Sequence, residues 1–287
     1  MPHMFIFGLG YTARHVKQAL QCAGWRISAT GSAGDIAFDD EEAVRHALAG
    51  ASHVLSSVPP TGGADPVLER YGDALLDHAW LGYLSSTGVY GDTGGAWVDE
   101  ASPVGTGRRQ ARALCDAAWL ARDARVFRLP GIYGPGRSAL ERVAAGRAHR
   151  IDLPGQVFSR VHVSDIASGV VAGLEAPAGA YNLADDLPAS QNAVIEEACR
   201  LLGLPLPPLL RLEEAGLSPQ ARAFYAENRR VANGKARRVL GWRPRYVDYR
   251  AGLRGSLGGG GTLRPRSATT IPTIASSPPQ SASVDQR

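Results

Sequence analysis

The 287-residue sequence has no run approaching the roughly 20 consecutive apolar residues that a membrane span needs. Its opening segment, Met1–Gly8, lacks the basic region and long apolar run of a secretion signal. The sequence therefore predicts a cytoplasmic protein with no membrane contact.

Cysteine and lysine are both scarce. The three cysteines, Cys22, Cys115 and Cys199, are far apart, lie in helix-like patterns and do not have the spacing of metal ligands. We interpret them as reduced packing residues and expect no metal site. Lys17 and Lys235 are the only lysines among 31 basic residues.

The positive charge is concentrated at the C-terminal end. The formal net charge is +4 at pH 7, and the segment from Arg254 onward carries four arginines and one aspartate, which leaves +1 for the chain before it. Basic residues interleaved with aromatics, the pattern typical of nucleic-acid binding, are missing. We expect no nucleic-acid partner.

Short apolar segments alternate with helix-like segments in the first half of the chain. Such alternation predicts an α/β fold, a doubly wound parallel sheet of the Rossmann type. The predicted strands are Met4–Phe7, Arg26–Thr30, Ile36–Phe38, His53–Ser57, Gly82–Ser86 and Ala124–Arg128, and the predicted helices are Thr12–Ala23, Glu41–Leu48, Pro66–Trp80 and Arg108–Ala121.

The alternation stops after Gly131, and the second half reads mainly as helices, at Ser138–Ala148, Ser164–Leu174, Gln191–Leu202 and Lys235–Leu240. We predict one domain over residues 1–254. Its dinucleotide-binding core lies mainly in 1–135, and a small substrate-side subdomain lies mainly in 136–254. Residues 255–287 are rich in Gly, Ser, Thr and Pro and nearly free of apolar side chains, which predicts a disordered tail.

A glycine-rich motif, Gly8-x-Gly10-x-x-Ala13, directly follows the first strand and opens a helix. The glycines let the backbone turn and approach a pyrophosphate, and a small third residue permits close packing of helix and strand. The helix N-terminus, at Tyr11 and Thr12, offers unpaired N–H groups to phosphate. We predict a dinucleotide site here; the alternative is an ordinary turn between strand and helix.

The end of the second strand usually selects the nicotinamide cofactor, through an acid for NAD or a basic residue for NADP. This sequence has neither, but Thr30 and Ser32 can hydrogen-bond a ribose or a phosphate. The sequence therefore allows either NAD or NADP as the cofactor, and we favour NADP. Asp39 is placed to reach an adenine amine, or else it is a solvated loop carboxylate.

Five motifs occur in order along the chain. They are Ser85–Asp92, Trp97–Glu100, Arg128–Arg137, Arg160–Asp165 and Tyr181–Asp185. With these motifs the chain resembles the extended short-chain dehydrogenases/reductases, the NAD-dependent epimerase/dehydratase group, over about residues 4 to 253. Two further segments, Ser56–Pro60 and Val231–Asn233, look like its atypical YeeZ-like subgroup.

The resemblance implies the positions of cofactor and substrate. Ser57, Val58 and Pro59 are expected to flank the cofactor, and the segment from Pro130 to Ile132 to pass the nicotinamide carboxamide. A small-molecule substrate is expected in a cleft roofed by C-terminal segments. The resemblance also implies a homodimer.

Catalytic members of the family use Tyr-x-x-x-Lys on a helix, with a nearby Ser or Thr that polarises the substrate carbonyl. Ser86 and Thr87 match the hydroxyl position. Arg108 and Arg112 stand where Tyr and Lys are expected, and a guanidinium cannot shuttle protons near neutral pH. The motif is absent throughout, because Ala13 and Val231 precede the two lysines by four residues.

Three functions therefore stay open. The first is a reductase, epimerase or dehydratase whose acid is Tyr90, Tyr133 or His162, although these side chains also suit turn, core and structural roles. The second is a cofactor-binding sensor or scaffold without turnover. The third is an anion-binding protein, unless the arginines concerned form a solvated face; these are Arg108, Arg109, Arg112, Arg137 and Arg160.

Overall fold

The computed structural model describes residues 1–76, 78, 80–107 and 110–258. The strands are β1 His3–Phe7, β2 Arg26–Ala29, β3 His53–Ser56, β4 Trp80–Ser86, β5 Trp97–Val98, β6 Arg125–Leu129, β7 Gly131–Tyr133, β8 Arg150–Ile151, β9 Arg160–His162, β10 Gly179–Asn182, β11 Leu209–Leu210 and β12 Arg230–Val231. The helices are α1 Tyr11–Cys22, α2 Glu41–Ala49, α3 Pro66–Tyr71, α4 Gln110–Leu120, α5 Ala139–Ala144, α6 Val163–Ala172, α7 Gln191–Leu202, α8 Pro219–Phe224, α9 Gly234–Val239 and α10 Tyr249–Gly258, and a 3-10 turn spans Thr87–Tyr90.

Six strands form a central sheet in the order β10-β6-β4-β3-β1-β2. Every pair in it is parallel, and all five residues of β1 are buried. A strand that is buried along its whole length is what a sheet covered on both faces requires. The predicted Rossmann-type α/β fold is confirmed.

Two hydrophobic clusters cover the two faces of this sheet. On one face, Leu20 of α1 and Ile166 of α6 belong to a cluster that also contains Trp242. On the other face, Val44 of α2 and Trp119 of α4 pack in a second cluster. Helices therefore flank both faces of the sheet, and the predicted site residues lie at its carboxyl edge.

Helix boundaries follow local capping chemistry. Asp65 accepts hydrogen bonds from the first backbone N–H groups of α3, and Pro66 begins that helix. Ser190 caps α7 in the same way, and α7 ends at Gly203 in the left-handed conformation. Because these signals are local, α7 has the bounds that its sequence predicts.

A third cluster lies beyond the sheet, among α5, α7 and α10, around Leu140, Ile195 and Tyr249. It belongs to the part of the chain predicted as the substrate-side subdomain. The same part also supplies β10 to the central sheet. The division near residue 135 stays a prediction.

Two predicted elements are wrong. The strand Ile36–Phe38 is reduced to one bridge between Thr30 and Ile36, because five residues are too few for the crossover that parallel strands need. The helix predicted over Pro66–Trp80 ends at Tyr71, and Trp80 begins β4. Apolar spacing alone does not distinguish a buried helix from a turn followed by a buried strand.

The predicted start of the tail at residue 255 is also wrong, because α10 continues to Gly258. A Cβ at Gly255 would contact the ring of Tyr246, and Leu257 packs against the third cluster. The rest of the predicted tail, residues 259–287, lies outside the described residues. Within the described ranges, no helix is long and apolar enough to cross a membrane.

Candidate active site

The glycine-rich turn joins β1 to α1. Gly8 has φ +80°, and a Cβ on it would lie 3.0 Å from Cγ2 of Val58. Gly10 is the N-cap of α1, and no side chain caps this helix end. The first N–H groups of α1 therefore have no partner within the helix, and they lie where a phosphate would accept hydrogen bonds.

The residues after β3 support this turn. The hydroxyl of Ser57 donates to the carbonyl oxygen of Gly8 at 2.9 Å. The side chain of Val58 packs under Gly8, and Pro59 is exposed. The three residues expected to flank the cofactor are thus brought beside the glycine turn.

Thr30 does not have the expected environment. It is fully buried, and its Oγ1 accepts a hydrogen bond from the Gly8 N–H at 3.1 Å. Its hydroxyl therefore holds the turn from below and does not face a ribose. Ser32 and Asp39 are exposed. Asp35, which the sequence analysis missed, accepts from the Ala29 N–H at 2.7 Å.

Ser86 ends β4 at the edge of a cavity. Its hydroxyl accepts from the Gly88 N–H at 3.1 Å and starts the 3-10 turn that buries Thr87. The segment from Pro130 to Ile132 lines the same cavity. The two hydroxyl candidates and the segment expected to pass the nicotinamide therefore share one surface.

This cavity has a volume of about 640 Å³. Its walls come from the ends of β4 and β6, from β7, α5 and α7, and from the segment between Leu217 and Arg229. Tyr11 connects it to the glycine turn, since its hydroxyl donates to Pro135 O and the guanidinium of Arg137, which lines the cavity, lies 4.3 Å from the centre of its ring. The glycine turn and the cavity are thus connected through Tyr11.

A buried polar network lies behind Ser86. Arg128 makes two hydrogen bonds to Asp116, at 2.6 and 3.1 Å, and Ser85 donates to the same carboxylate at 2.6 Å. Arg128 also donates to the hydroxyl of Tyr90, which donates to Asn182. This network ties α4, β4, β6 and β10 together beneath the cavity.

Of the two arginines at the expected Tyr and Lys positions, Arg112 lies within the described residues. Arg108, with Arg109, lies outside the described residues. Arg112 is half-buried on α4 and does not line the cavity. Burial raises the pKa of the Cys115 thiol to about 11, and the nearby charge of Arg112 partly opposes that rise.

The three candidate acids are poorly placed for proton transfer. The hydroxyl of Tyr90 is buried and bonded at both ends. His162 caps α6, does not line the cavity, and burial lowers its pKa to about 4. Tyr133 does line the cavity, but burial raises its pKa and its hydroxyl donates to Asp248 O at 3.4 Å.

The sequence analysis missed several cavity residues. His149, Arg142 and Glu227 face the cavity from segments without a recognisable motif. Their only sequence signal is that they are polar within an otherwise amphipathic stretch.

Two acidic residues outside the cavity lining bond to backbone. Asp99 and Glu100 accept hydrogen bonds from the backbone N–H groups of Ala101 and Asn182, respectively. In the described part of the chain no group of three or more His, Cys, Asp or Glu side chains could hold a metal ion.

Comparisons with known proteins agree with this geometry. No family model matches the sequence. A solved structure of dTDP-glucose 4,6-dehydratase from Bacillus anthracis in complex with NAD has a TM-score of 0.71, with 17% identity, and the match covers 90% of this chain and 96% of that one. Further neighbours at similar identity were solved with NAD or NADPH. The chain therefore has the fold of the NAD-dependent epimerases and dehydratases.

Two proteins are closer in sequence. A functionally unknown conserved protein from Silicibacter pomeroyi is 41% identical, with a TM-score of 0.80, and the match covers 90% of this chain and 99% of that one. The chain belongs to the same family as that protein. A 3-diazoavenalumate denitrifying reductase from a Streptomyces species is 32% identical over 140 residues, so the match spans less than half of that relative's length, 45% of each chain.

Proposed function

We propose that this protein is an NAD(P)-dependent oxidoreductase of the YeeZ-like atypical short-chain dehydrogenases/reductases, acting in the cytoplasm on an anionic small molecule. The observation that carries the proposal is the contiguity of the glycine turn and the cavity through Tyr11 and Arg137. It lets a dinucleotide bound at the turn present its reactive end to a molecule in the cavity. A homodimer is part of the proposal.

The residues present fit a dinucleotide. A side chain at Gly8 would occupy the space against Val58, and the uncapped α1 is twelve residues long, so its N-terminus carries a full helix dipole. The cofactor preference rests on the end of β2, where Ser32 is exposed and Asp35 is engaged with backbone. Without a free carboxylate there to bind the ribose hydroxyls, NADP is favoured.

The bound cofactor would supply a hydride, so the remaining question is the proton. Ser86 and Thr87 can polarise the substrate, and Arg112 can hold charge but cannot deliver a proton near neutral pH. Tyr90 and His162 do not line the cavity, and the hydroxyl of Tyr133, which does line it, donates to the backbone oxygen of Asp248. With none of these three groups free to donate, we propose that the substrate accepts a hydride without a proton from them.

Reduction of an aromatic diazonium group meets this condition. The hydride forms a new C–H bond at the ring carbon, the C–N bond breaks, and its electron pair leaves with dinitrogen, so that no proton is consumed. The name of the Streptomyces relative, a denitrifying reductase of a diazo compound, supports this class of reaction.

Thermal unfolding with and without NADP tests the dinucleotide site. A ligand at one hundred times its Kd stabilises the native state by about 2.7 kcal/mol, which we expect as a rise in Tm of about 5–11 °C. Gly8→Ala should abolish the rise. Gly24→Ala is the matched control, because Gly24 also has φ +80° but has no neighbour within 4 Å. No rise in Tm in the native protein, or equal rises in both variants, would refute the proposed site.

A second candidate is a dinucleotide-binding sensor without turnover, which the absence of Tyr-x-x-x-Lys favours. The two are separated by following reduced nicotinamide absorbance with an aryl diazonium salt, against a reaction without protein. Binding of NADP with no protein-dependent oxidation of NADPH would favour the sensor. Oxidation with release of dinitrogen would favour the reductase.

A further inference from the structure

Arg142 is a cation in the cavity without a protein partner. It lies on α5 and lines the cavity, and within the described residues its side chain has no hydrogen bond or ion pair. Its neighbour Glu141 accepts hydrogen bonds from Gly136 and Ser138 and is held away by the capping box of α5. Burial lowers the pKa of Arg142, because the surrounding protein disfavours its charge.

Three of the other four cavity arginines have protein partners. Arg160 is buried and donates to the carbonyl oxygens of Phe158 and Ala189, each at 2.8 Å. Arg229 pairs with Glu227 at 2.8 Å. Arg137 lies over the ring of Tyr11, as described above. Arg147 also lines the cavity, but it is exposed and lies beyond the end of α5. Arg142, on α5 itself, is thus free to bind an anionic group in the cavity.

The wall beside Arg142 is aromatic and apolar. The rings of Phe158 and Tyr225 meet edge to face, with centroids 5.6 Å apart. Val194, Ile195 and Leu253 complete this wall from α7 and α10. A flat apolar body gains most from such a surface, because aromatic rings stack or meet edge to face.

We propose that the cavity binds an aromatic carboxylate, with the carboxylate held by two parallel hydrogen bonds from Arg142 and the ring against Phe158 and Tyr225. This places the rest of the molecule toward Ser86. Arg142 is thereby the residue that determines substrate specificity. The inference rests on the proposed function, because it assigns the substrate class of the same cavity.

Calorimetric titration of the full chain, saturated with NADP, tests this. The probes are benzoate, para-hydroxycinnamate and naphthoate, each beside its methyl ester, with UDP-glucose as the phosphate-bearing alternative. We expect at least one carboxylate to bind and its ester to bind at least about 10-fold more weakly, as the loss of a charge-assisted hydrogen bond implies.

Arg142→Gln should weaken carboxylate binding about 10- to 100-fold while its Tm stays that of the native protein, because Arg142 makes no bond to lose. Arg222→Gln is the matched control, since Arg222 is an exposed arginine on α8 that does not line the cavity. It should bind as the native protein does.

Three results would overturn the inference. They are ester binding as tight as carboxylate binding, equal affinity in Arg142→Gln, and binding of UDP-glucose with no carboxylate bound. A separate titration with NADP alone keeps the two proposals distinct. Carboxylate binding without NADP binding would reject the proposed oxidoreductase, whereas NADP binding with no carboxylate bound would reject only the assignment of Arg142.

Discussion

The buried ion pair between Arg128 and Asp116 should dominate the response of this fold to a single substitution. Its side chains are 3% and 1% exposed, and the carboxylate accepts three hydrogen bonds, one of them from Ser85. Asp116→Asn keeps the shape but leaves the guanidinium as an uncompensated buried charge. Breaking such a pair costs about 3–5 kcal/mol.

The protein offers a matched surface pair. Arg45 makes two hydrogen bonds to Asp73, at 2.9 and 3.3 Å, with side chains 37% and 67% exposed. Like the buried pair, it joins one arginine to one aspartate by two hydrogen bonds, although Arg45 also pairs with Glu41, so Asp73→Asn tests the same kind of interaction at an exposed site. Exposed pairs contribute little, because water and salt screen them.

Thermal unfolding measures both variants against the native protein. For Asp116→Asn we expect Tm to fall by about 6–20 °C, from about 2–4 °C per kcal/mol in a chain of this size. Asp73→Asn should unfold with the native protein within error. Similar losses in the two variants, or a loss only in Asp73→Asn, would show that burial does not set the strength of this interaction.

Two further substitutions follow from packing and charge. Gly252→Ala would bring a Cβ onto the ring of Tyr133 and should cost on the order of 1–3 kcal/mol in urea unfolding, whereas Gly50→Ala has room and should change little. Burial raises the pKa of Asp185 from 3.8 to about 8, so native stability from this group is present below about pH 4 and is lost as pH rises through about 8. Asp185→Asn should therefore be more stable than the native protein at about pH 9 by on the order of a few kcal/mol, and equal slopes of stability against pH would contradict this.

The sheet could be predicted from the sequence because its signals are local. The apolar run Met4–Phe7 and the glycines after it define β1 and its turn without reference to the rest of the chain. The strand β10 was missed, since Gly179–Asn182 is short and its place beside β6 depends on pairing with residues more than fifty positions away. The pairing of β10 with β6 cannot be predicted from either segment alone, because it depends on both strands.

The candidate site divides in the same way. Gly8, Ser57 and Ser86 could be located because each ends or directly follows a predicted strand, and carboxyl ends of parallel strands meet at one edge. The role of Thr30 was misjudged, because its burial under Gly8 depends on how the turn folds back. Arg142 carries no motif, and its importance appears only when Glu141 is seen to be engaged elsewhere.

The polar network and the cavity together explain why the absent tyrosine has no evident substitute. Tyr90 shares its 3-10 turn with Thr87, which lines the cavity, yet its hydroxyl accepts from Arg128 and donates to Asn182, and burial raises its pKa. If Tyr90 acted as the acid, its hydroxyl would have to leave Arg128 in each catalytic cycle. Arg128 would then hold a buried N–H group without a hydrogen-bond acceptor, which costs free energy. A substrate that needs only a hydride avoids this cost, and the fold can then keep its network intact.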